Sequence, residues 1–127
     1  MVTAVGRDFA SAAFFDAATS GILLLPRCRL CSRWEHLEAV TCGGCAGDLG
    51  WQAASGEGTV AAWARPGTGR GDADGPILVI VELAEGPWLR TQLLGSTDPP
   101  TIGAAVTVGF VTPGGGEPVP VFRLSSP

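Results

Sequence analysis

Hydrophobic spacing divides the chain into two unlike stretches. Over residues 8–20 the apolar positions Phe9, Ala12, Ala13 and Phe15 recur at helical spacing. Asp8 stands where an N-cap belongs, and Gly21 where a C′ glycine ends a helix. Phe14 falls outside that stripe, so the helix is apolar on two sides. Two readings stay open: packing on the chain's own domain, or a partner surface of Phe9, Phe14 and Phe15. A short helix near the chain start with three phenylalanines has little core of its own to cover.

From residue 53 onward helical periodicity is lost, and short β runs alternate with glycine and proline. Strands are predicted near 58–65, 76–84, 87–94, 105–111 and 119–124. The run Ile77-Leu78-Val79-Ile80-Val81 reads as a central strand apolar on both faces. Ala84-Glu85-Gly86-Pro87 and Gly114-Gly115-Gly116 read as turns between strands. Five short strands with glycine or proline at their ends suggest a small closed barrel, for which the OB-fold is the commonest five-stranded solution.

Between these stretches lie all four cysteines, in two CxxC pairs: Cys28-Arg29-Leu30-Cys31 and Cys42-Gly43-Gly44-Cys45. Ten residues separate the pairs. Two such knuckles can surround one tetrahedral Zn²⁺ with four thiolates, a closed structural site with no open position for water or substrate. Gly43 and Gly44 suit the tight turn this needs. Residues 22–51 therefore read as a ribbon: a strand into Cys28, a knuckle, a loop, a second knuckle, and a strand leaving through Leu49 and Trp51. Residues 1–27 lack a basic start followed by a long apolar run, so no export signal is expected. That favours metal-bound thiolates over disulfides or a redox CxxC, and a cytoplasmic location. The run Ile22-Leu23-Leu24-Leu25 is too short to span a bilayer.

Composition narrows the function classes. Among 127 residues, eight are basic, all arginine, against twelve acidic, for a net charge of −4. There is no basic stripe of the kind a nucleic-acid binder carries. A chain of this size buries roughly two-thirds of its unfolded surface, yet the first third would struggle to fold without a metal. A catalytic set is hard to assemble. The single histidine, His36, lies inside the ribbon, no nucleophile elbow is present, and the cysteines are committed to metal.

Other features admit two readings each. The segment Arg65–Pro76 is glycine-rich and charged; it is either a solvated loop or a ligand-facing one in which Arg65 or Arg70 meets an anion. Trp34, Trp51, Trp63 and Trp88 are core and ribbon residues, or, for Trp63 and Trp88, barrel-face residues with functional consequences. Arg65, Arg70 and Trp63 form the candidate ligand set. Arg27, Arg29 and Arg33 in the ribbon suit bidentate phosphate contacts, or pair with Glu35 and Glu38.

Several of these segments together carry a resemblance. The phenylalanine-bearing helix leads into Gly21–Leu25 and the first knuckle. The second knuckle is followed by Leu49, Trp51 and Ser55-Gly56-Glu57-Gly58-Thr59-Val60. Then come Val81-Glu82-Leu83-Ala84-Glu85-Gly86, Leu94-Gly95, Ile102-Gly103 with Val106, and Pro120-Val121-Phe122-Arg123. The chain resembles the zinc-ribbon plus OB-fold family long known as a domain of unknown function and associated with acyl-CoA metabolism. The resemblance implies a mainly β fold: an N-terminal helix and rubredoxin-like zinc ribbon over residues 1–52, then a five-stranded OB-fold barrel over residues 53–127. It also implies a non-catalytic companion of a thiolase-like enzyme, such as a thiolase or a lipid-transfer-protein-type aldolase of steroid or acyl-CoA side-chain degradation. The expected assembly is a 2+2 heterotetramer that helps form the acyl-CoA site, with one structural Zn²⁺ per chain and no membrane contact. The alternative is a ribbon and barrel that bind single-stranded nucleic acid, against which the acidic balance argues.

Overall fold

A glycine with positive φ closes the only helix among the described residues and turns the chain into the ribbon. The computed structural model describes residues 11–65 and 76–125. Helix α1 spans Ala12–Thr19, with Ser11 at the N-cap position and Ser20 at the C-cap. Gly21 at φ 79° donates to the Ala18 carbonyl, and Ile22 donates to that of Ala17, the paired bonds of a Schellman cap. The predicted cap at Asp8, and Phe9, lie outside the described residues.

Strands β1 (Leu24–Cys28) and β2 (Leu49–Ala53) form the antiparallel ribbon, with Arg27 opposite Gly50 and Pro26 opposite Trp51. Five further strands follow: β3 (Glu57–Ala64), β4 (Ile77–Leu83), β5 (Trp88–Leu93), β6 (Ala105–Val111) and β7 (Val119–Leu124). They close into a barrel in the order β3-β4-β5-β7-β6, with β6 returning to β3. Every predicted strand is present, with ends within about two residues of the expected ones.

The narrowest seam is the parallel one between β5 and β7. It holds one ladder pair, Leu93 with Phe122, and a bond from the Leu94 N–H to the Phe122 carbonyl. The Thr91 hydroxyl donates to the Pro120 carbonyl at 2.6 Å, so a side chain extends a seam the backbone leaves short. β4 differs from the expectation of two apolar faces. Ile77, Val79, Val81 and Leu83 point inward and are buried, while Leu78 is 43% exposed. In a barrel this small only one face of each strand meets the core.

The barrel interior and the ribbon share one hydrophobic cluster. Val60, Val79, Val81, Leu93, Val106 and Phe122 from the barrel join Phe14 and Phe15 of α1 and Leu23 and Leu25 of the ribbon entry. The ribbon therefore sits on the barrel through a common core.

The Ser55–Val60 step explains itself at atomic level. The Ser55 N–H donates to Glu85 Oε2 at 2.7 Å, and the Glu57 N–H to Ser55 Oγ at 3.2 Å. Gly56 has φ 79°, and a Cβ there would come within 2.5 Å of Val108 Cγ1. At Gly58 a Cβ would meet Val81 Cγ1 at 2.5 Å and the Glu82 carbonyl oxygen at 2.7 Å. Backbone cannot yield as a side-chain tip can, so Gly58→Ala should cost about 2–3 kcal/mol. Urea unfolding of the metal-loaded chain measures this; an unchanged midpoint would show that β3 and β4 separate at no cost.

Candidate functional site

Each knuckle is built the same way. In the first, the Leu30 and Cys31 N–H groups point at Cys28 Sγ at 3.4 Å, and in the second the Gly44 N–H points at Cys42 Sγ at 3.3 Å. Ser32 then bonds back to the Cys28 carbonyl and Ala46 to that of Cys42. Both residues take a left-handed backbone, φ 64° and 61°. The turn strain thus falls on the residue after each second cysteine. Gly43 and Gly44, expected to supply it, have ordinary φ, and a Cβ on either would meet only normal contacts.

The two knuckles bring the four sulfurs of Cys28, Cys31, Cys42 and Cys45 within 4.8 Å of one another. The closest pairs, Cys28–Cys45 and Cys31–Cys42, are 3.5 Å apart, far beyond a disulfide bond. Four sulfurs at ~2.3 Å from one central ion lie about 3.8 Å apart in a tetrahedron, so the cluster fits a single ion with small adjustments.

Its electrostatics point the same way. The Cys31 N–H, then that of Leu30, bring the Cys28 thiol down to about 6. The Gly47 N–H lowers Cys45, but contacts with the Cys28 and Cys31 sulfurs outweigh it and push that thiol up to about 12. Cys28 ionises early while Cys31 and Cys45 are pushed up, which is how like charges share a site until a cation arrives.

Two residues that the sequence did not single out complete the site. Gly47 is buried, and a Cβ there would lie 2.9 Å from Leu30 Cδ1, 3.1 Å from Cys28 Sγ and 3.2 Å from Cys45 Sγ. Only glycine lets the chain pass that close to the sulfurs. Glu35 is the one buried charged side chain among the described residues. Its Oε2 accepts from the Gly43 N–H at 3.0 Å and from Arg33 Nε at 2.8 Å, so it ties the segment after the first knuckle to the second. Gly43's N–H first, and Arg33's charge with it, hold the carboxyl below its ordinary value. His36 stays exposed, with Nδ1 accepting from the Glu38 N–H.

The other candidate residues are scattered. Phe14 and Phe15 are 6% and 8% exposed and meet edge to face at 5.2 Å, with Trp51 5.9 Å from Phe14. Their rings are used by the core, which is the first of the two readings left open for this helix. Trp63 is 39% exposed near the end of β3. Arg65 donates through Nη2 to the Thr97 carbonyl, so that guanidinium holds a turn. Arg70 lies outside the described residues, and no ligand set of Arg65, Arg70 and Trp63 is assembled among the described ones. The two most exposed large apolar side chains are on the ribbon, Leu30 at 78% and Val40 at 86%, ahead of Trp88 and Ile102 on the barrel at 58% each.

Residues 51–111 match the family described as the C-terminal OB-fold domain of ChsH2. A chain of the structure entitled "Ltp2-ChsH2(DUF35) aldolase" is 28% identical, with a TM-score of 0.77, over 98% of this chain and 100% of that one. A DUF35-family protein of unknown function from Sulfolobus solfataricus shares the fold at 13% identity, with a TM-score of 0.66, over 94% of this chain and 87% of that one. No curated protein matches the chain in sequence.

Two outcomes are expected of the site. Cys42→Ser should drop bound metal from about one ion per chain to none and unravel the ribbon. Metal analysis and amide exchange over residues 24–53 check this, and full retention of metal would refute the site. A lowered folded pKa means that Glu35 stabilises the fold above the ordinary carboxylate value of 4.5 and that this is lost as pH falls through the folded value. Glu35→Gln should therefore lower the thermal midpoint most near pH 7, and the gap from the parent chain should close in acid.

Proposed function

This chain belongs, through its barrel, to the DUF35 OB-fold family, and from that premise we propose that it is the non-catalytic companion subunit of a thiolase-like enzyme. In this reading it stabilises that enzyme and helps form its acyl-CoA site. The observation that carries the proposal is the end-to-end likeness to a chain of the Ltp2-ChsH2 aldolase, ribbon and barrel together. The local chemistry agrees: a closed four-thiol site has no open coordination position, and the described residues assemble no nucleophile with a general base. One structural Zn²⁺ is the natural ion for four thiolates on two knuckles.

The partner surface in this reading is the ribbon. Leu30 follows Cys28 in the first knuckle and Val40 precedes the second, and each leaves most of its side chain to solvent. Beside Val40 a cleft of about 480 Å³ is lined by Leu37, Leu49 and Trp51, with Arg29 and Glu38 also on its wall. Apolar residues ringed by charge are the usual make-up of a docking patch. The metal site holds these residues at fixed positions. Among the described residues no helix is long and apolar enough to cross a membrane, and the proposed setting is the cytoplasm, as a 2+2 assembly.

Co-expression with a thiolase-like candidate partner tests the proposal. The two should co-elute, and the enzyme should lose acyl-CoA activity or solubility without this subunit. Val40→Asp with Leu30→Asp should abolish co-elution while bound metal and thermal midpoint stay unchanged. A chain that elutes alone beside a fully active enzyme would refute the reading.

A further inference from the structure

Two prolines leave half of the parallel seam open. Backbone bonding along β7 alternates: Val119, Val121 and Arg123 turn their N–H and C=O groups to β6, while Pro120 and Phe122 turn theirs to β5. The bond from the Leu94 N–H to the Phe122 carbonyl fixes this phase. In the same register the next N–H groups would come from residues 120 and 118, to meet the carbonyls of Arg90 and Trp88. Both are prolines and have no N–H to give. On the other side of β5, the bond from the Leu83 N–H to the Pro87 carbonyl sets the alternation. Leu89 and Thr91 therefore bond to β4, and Trp88 and Arg90 present their backbone groups to the open seam. Among the described residues neither β7 nor the ribbon gives Trp88 or Arg90 a ladder partner on that side.

Beside this edge lies a slot. Two hollows, of about 610 and 430 Å³, lie where ribbon residues 33–38 face the start of β5, and Trp88 and His36 line both. Glu85 lines the first, and Glu38 and Arg90 the second. Trp88 is 58% exposed, and among the described residues its ring meets no other aromatic ring or guanidinium. Glu85 Oε2 accepts from the Ser55 N–H, but its Oε1 is buried with no hydrogen-bond partner among the described residues. A buried carboxylate oxygen in that state is satisfied by a donor from outside. Arg33 in the first hollow is already paired with Glu35. That leaves Glu38 and Glu85 against Arg90, with Glu82 across the strand pair from Trp88. The edge is acidic, as is the chain at −4.

We propose that the β5 edge at Trp88–Arg90 captures an extended, lysine- or arginine-bearing segment of a partner protein as an added strand. The incoming backbone takes the N–H and C=O groups of Trp88 and Arg90 that Pro118 and Pro120 leave unpaired. A basic side chain of the segment lies over the Trp88 ring and donates toward Glu85. In strand addition main-chain bonds supply affinity and side-chain contacts supply selectivity, here a cation over an aromatic face beside a carboxylate. Prolines on a strand edge keep other backbone from pairing there, and in this barrel they keep the chain's own β7 off β5. The proposal goes beyond the companion-subunit reading: it adds a second contact surface, on the barrel, and does not depend on which protein the partner is.

The test uses the full zinc-loaded chain, isotope-labelled for NMR and titrated with the capped peptide acetyl-Val-Lys-Val-Lys-Val-amide. Two controls are its counterpart with glutamate in place of lysine and a version N-methylated at alternate residues. Saturable binding is expected by about 5 mM, and the Trp88 and Arg90 amides, fast to exchange in the free chain, should slow about tenfold or more. Both control peptides should bind about tenfold more weakly or worse. Trp88→Ala and Glu85→Gln should each weaken the lysine peptide about fivefold or more, with bound zinc unchanged, and Trp63→Ala, outside the slot, should leave binding as it was. Pro118→Ala with Pro120→Ala gives β7 back its two N–H groups. That variant should protect the Trp88 and Arg90 amides without peptide, bind the peptide more weakly, and keep its thermal midpoint or raise it. Amides of Trp88 and Arg90 already protected in the free parent chain overturn the proposal, since the edge would then be paired. So does equal binding of the N-methylated peptide, which would reduce the contact to side chains, or of the glutamate peptide, which would remove the preference for a basic segment. Concentration-dependent protection of the same amides without peptide, with a doubled mass, overturns it in favour of a second copy of this chain. Because binding is read on the isolated chain, its failure leaves the co-elution result to stand or fall separately.

Discussion

Four sulfur atoms within 4.8 Å of one another cannot all be thiolates unless a cation lies among them. The rest of the ribbon follows from that constraint. The loop between the knuckles is thinly packed: Trp34 and Leu37 rest against the shared core, Val40 and His36 face solvent, and two isolated bridges are its ladder contacts outside β1 and β2. What holds this loop is the sulfur cluster, the Glu35 carboxylate that reaches Gly43, and a glycine at 47 where nothing larger fits. A cation at the centre would turn four mutually opposed groups into a local tie.

The barrel supplies what the ribbon lacks. Leu23 and Leu25 are 1% exposed and pack with Val60, Val81 and Phe122, so the ribbon's base is anchored in the barrel's core while its tip gathers the four thiols. Two anchors at opposite ends fix the ribbon's direction. The exposed apolar residues at the tip are thereby held in a defined relation to the barrel. A binding module needs this from its scaffold, because ordering a surface beforehand lowers the entropy lost on association. Among the described residues the site chemistry gathers in the thiol cluster and in the side chains that hold it in place.

Much of this was legible in the order of residues. Strand positions followed from alternation and from the glycines and prolines between strands, because burial of one face imposes that pattern directly. The metal cluster followed from CxxC spacing, because a knuckle's geometry is contained within its own few residues. Less legible was anything that depended on which segments meet. Gly43 and Gly44 stood out as turn residues, yet the strained backbone is at Ser32 and Ala46, and the indispensable glycine is Gly47, whose neighbours include a leucine 17 positions earlier. Phe14 and Phe15 could equally have faced outward; their burial was decided by Trp51 and the ribbon entry.

The sequence by itself determined the element order, the five barrel strands, the Gly21 helix stop and the identity of the four metal-binding candidates. Each of these rests on local periodicity or on spacing within a short stretch. Tertiary structure alone decided that helix, ribbon and barrel share one core, and that Arg65 is spent on the Thr97 carbonyl. It also decided that Arg27 is held by the Ser32 carbonyl and the Trp34 ring, and that the Arg29 guanidinium lies over Gly50. The physical reason is the same in each case. A side chain's partners are set by through-space contact between segments far apart in the chain, and no local pattern encodes which of several polar or apolar neighbours it will meet.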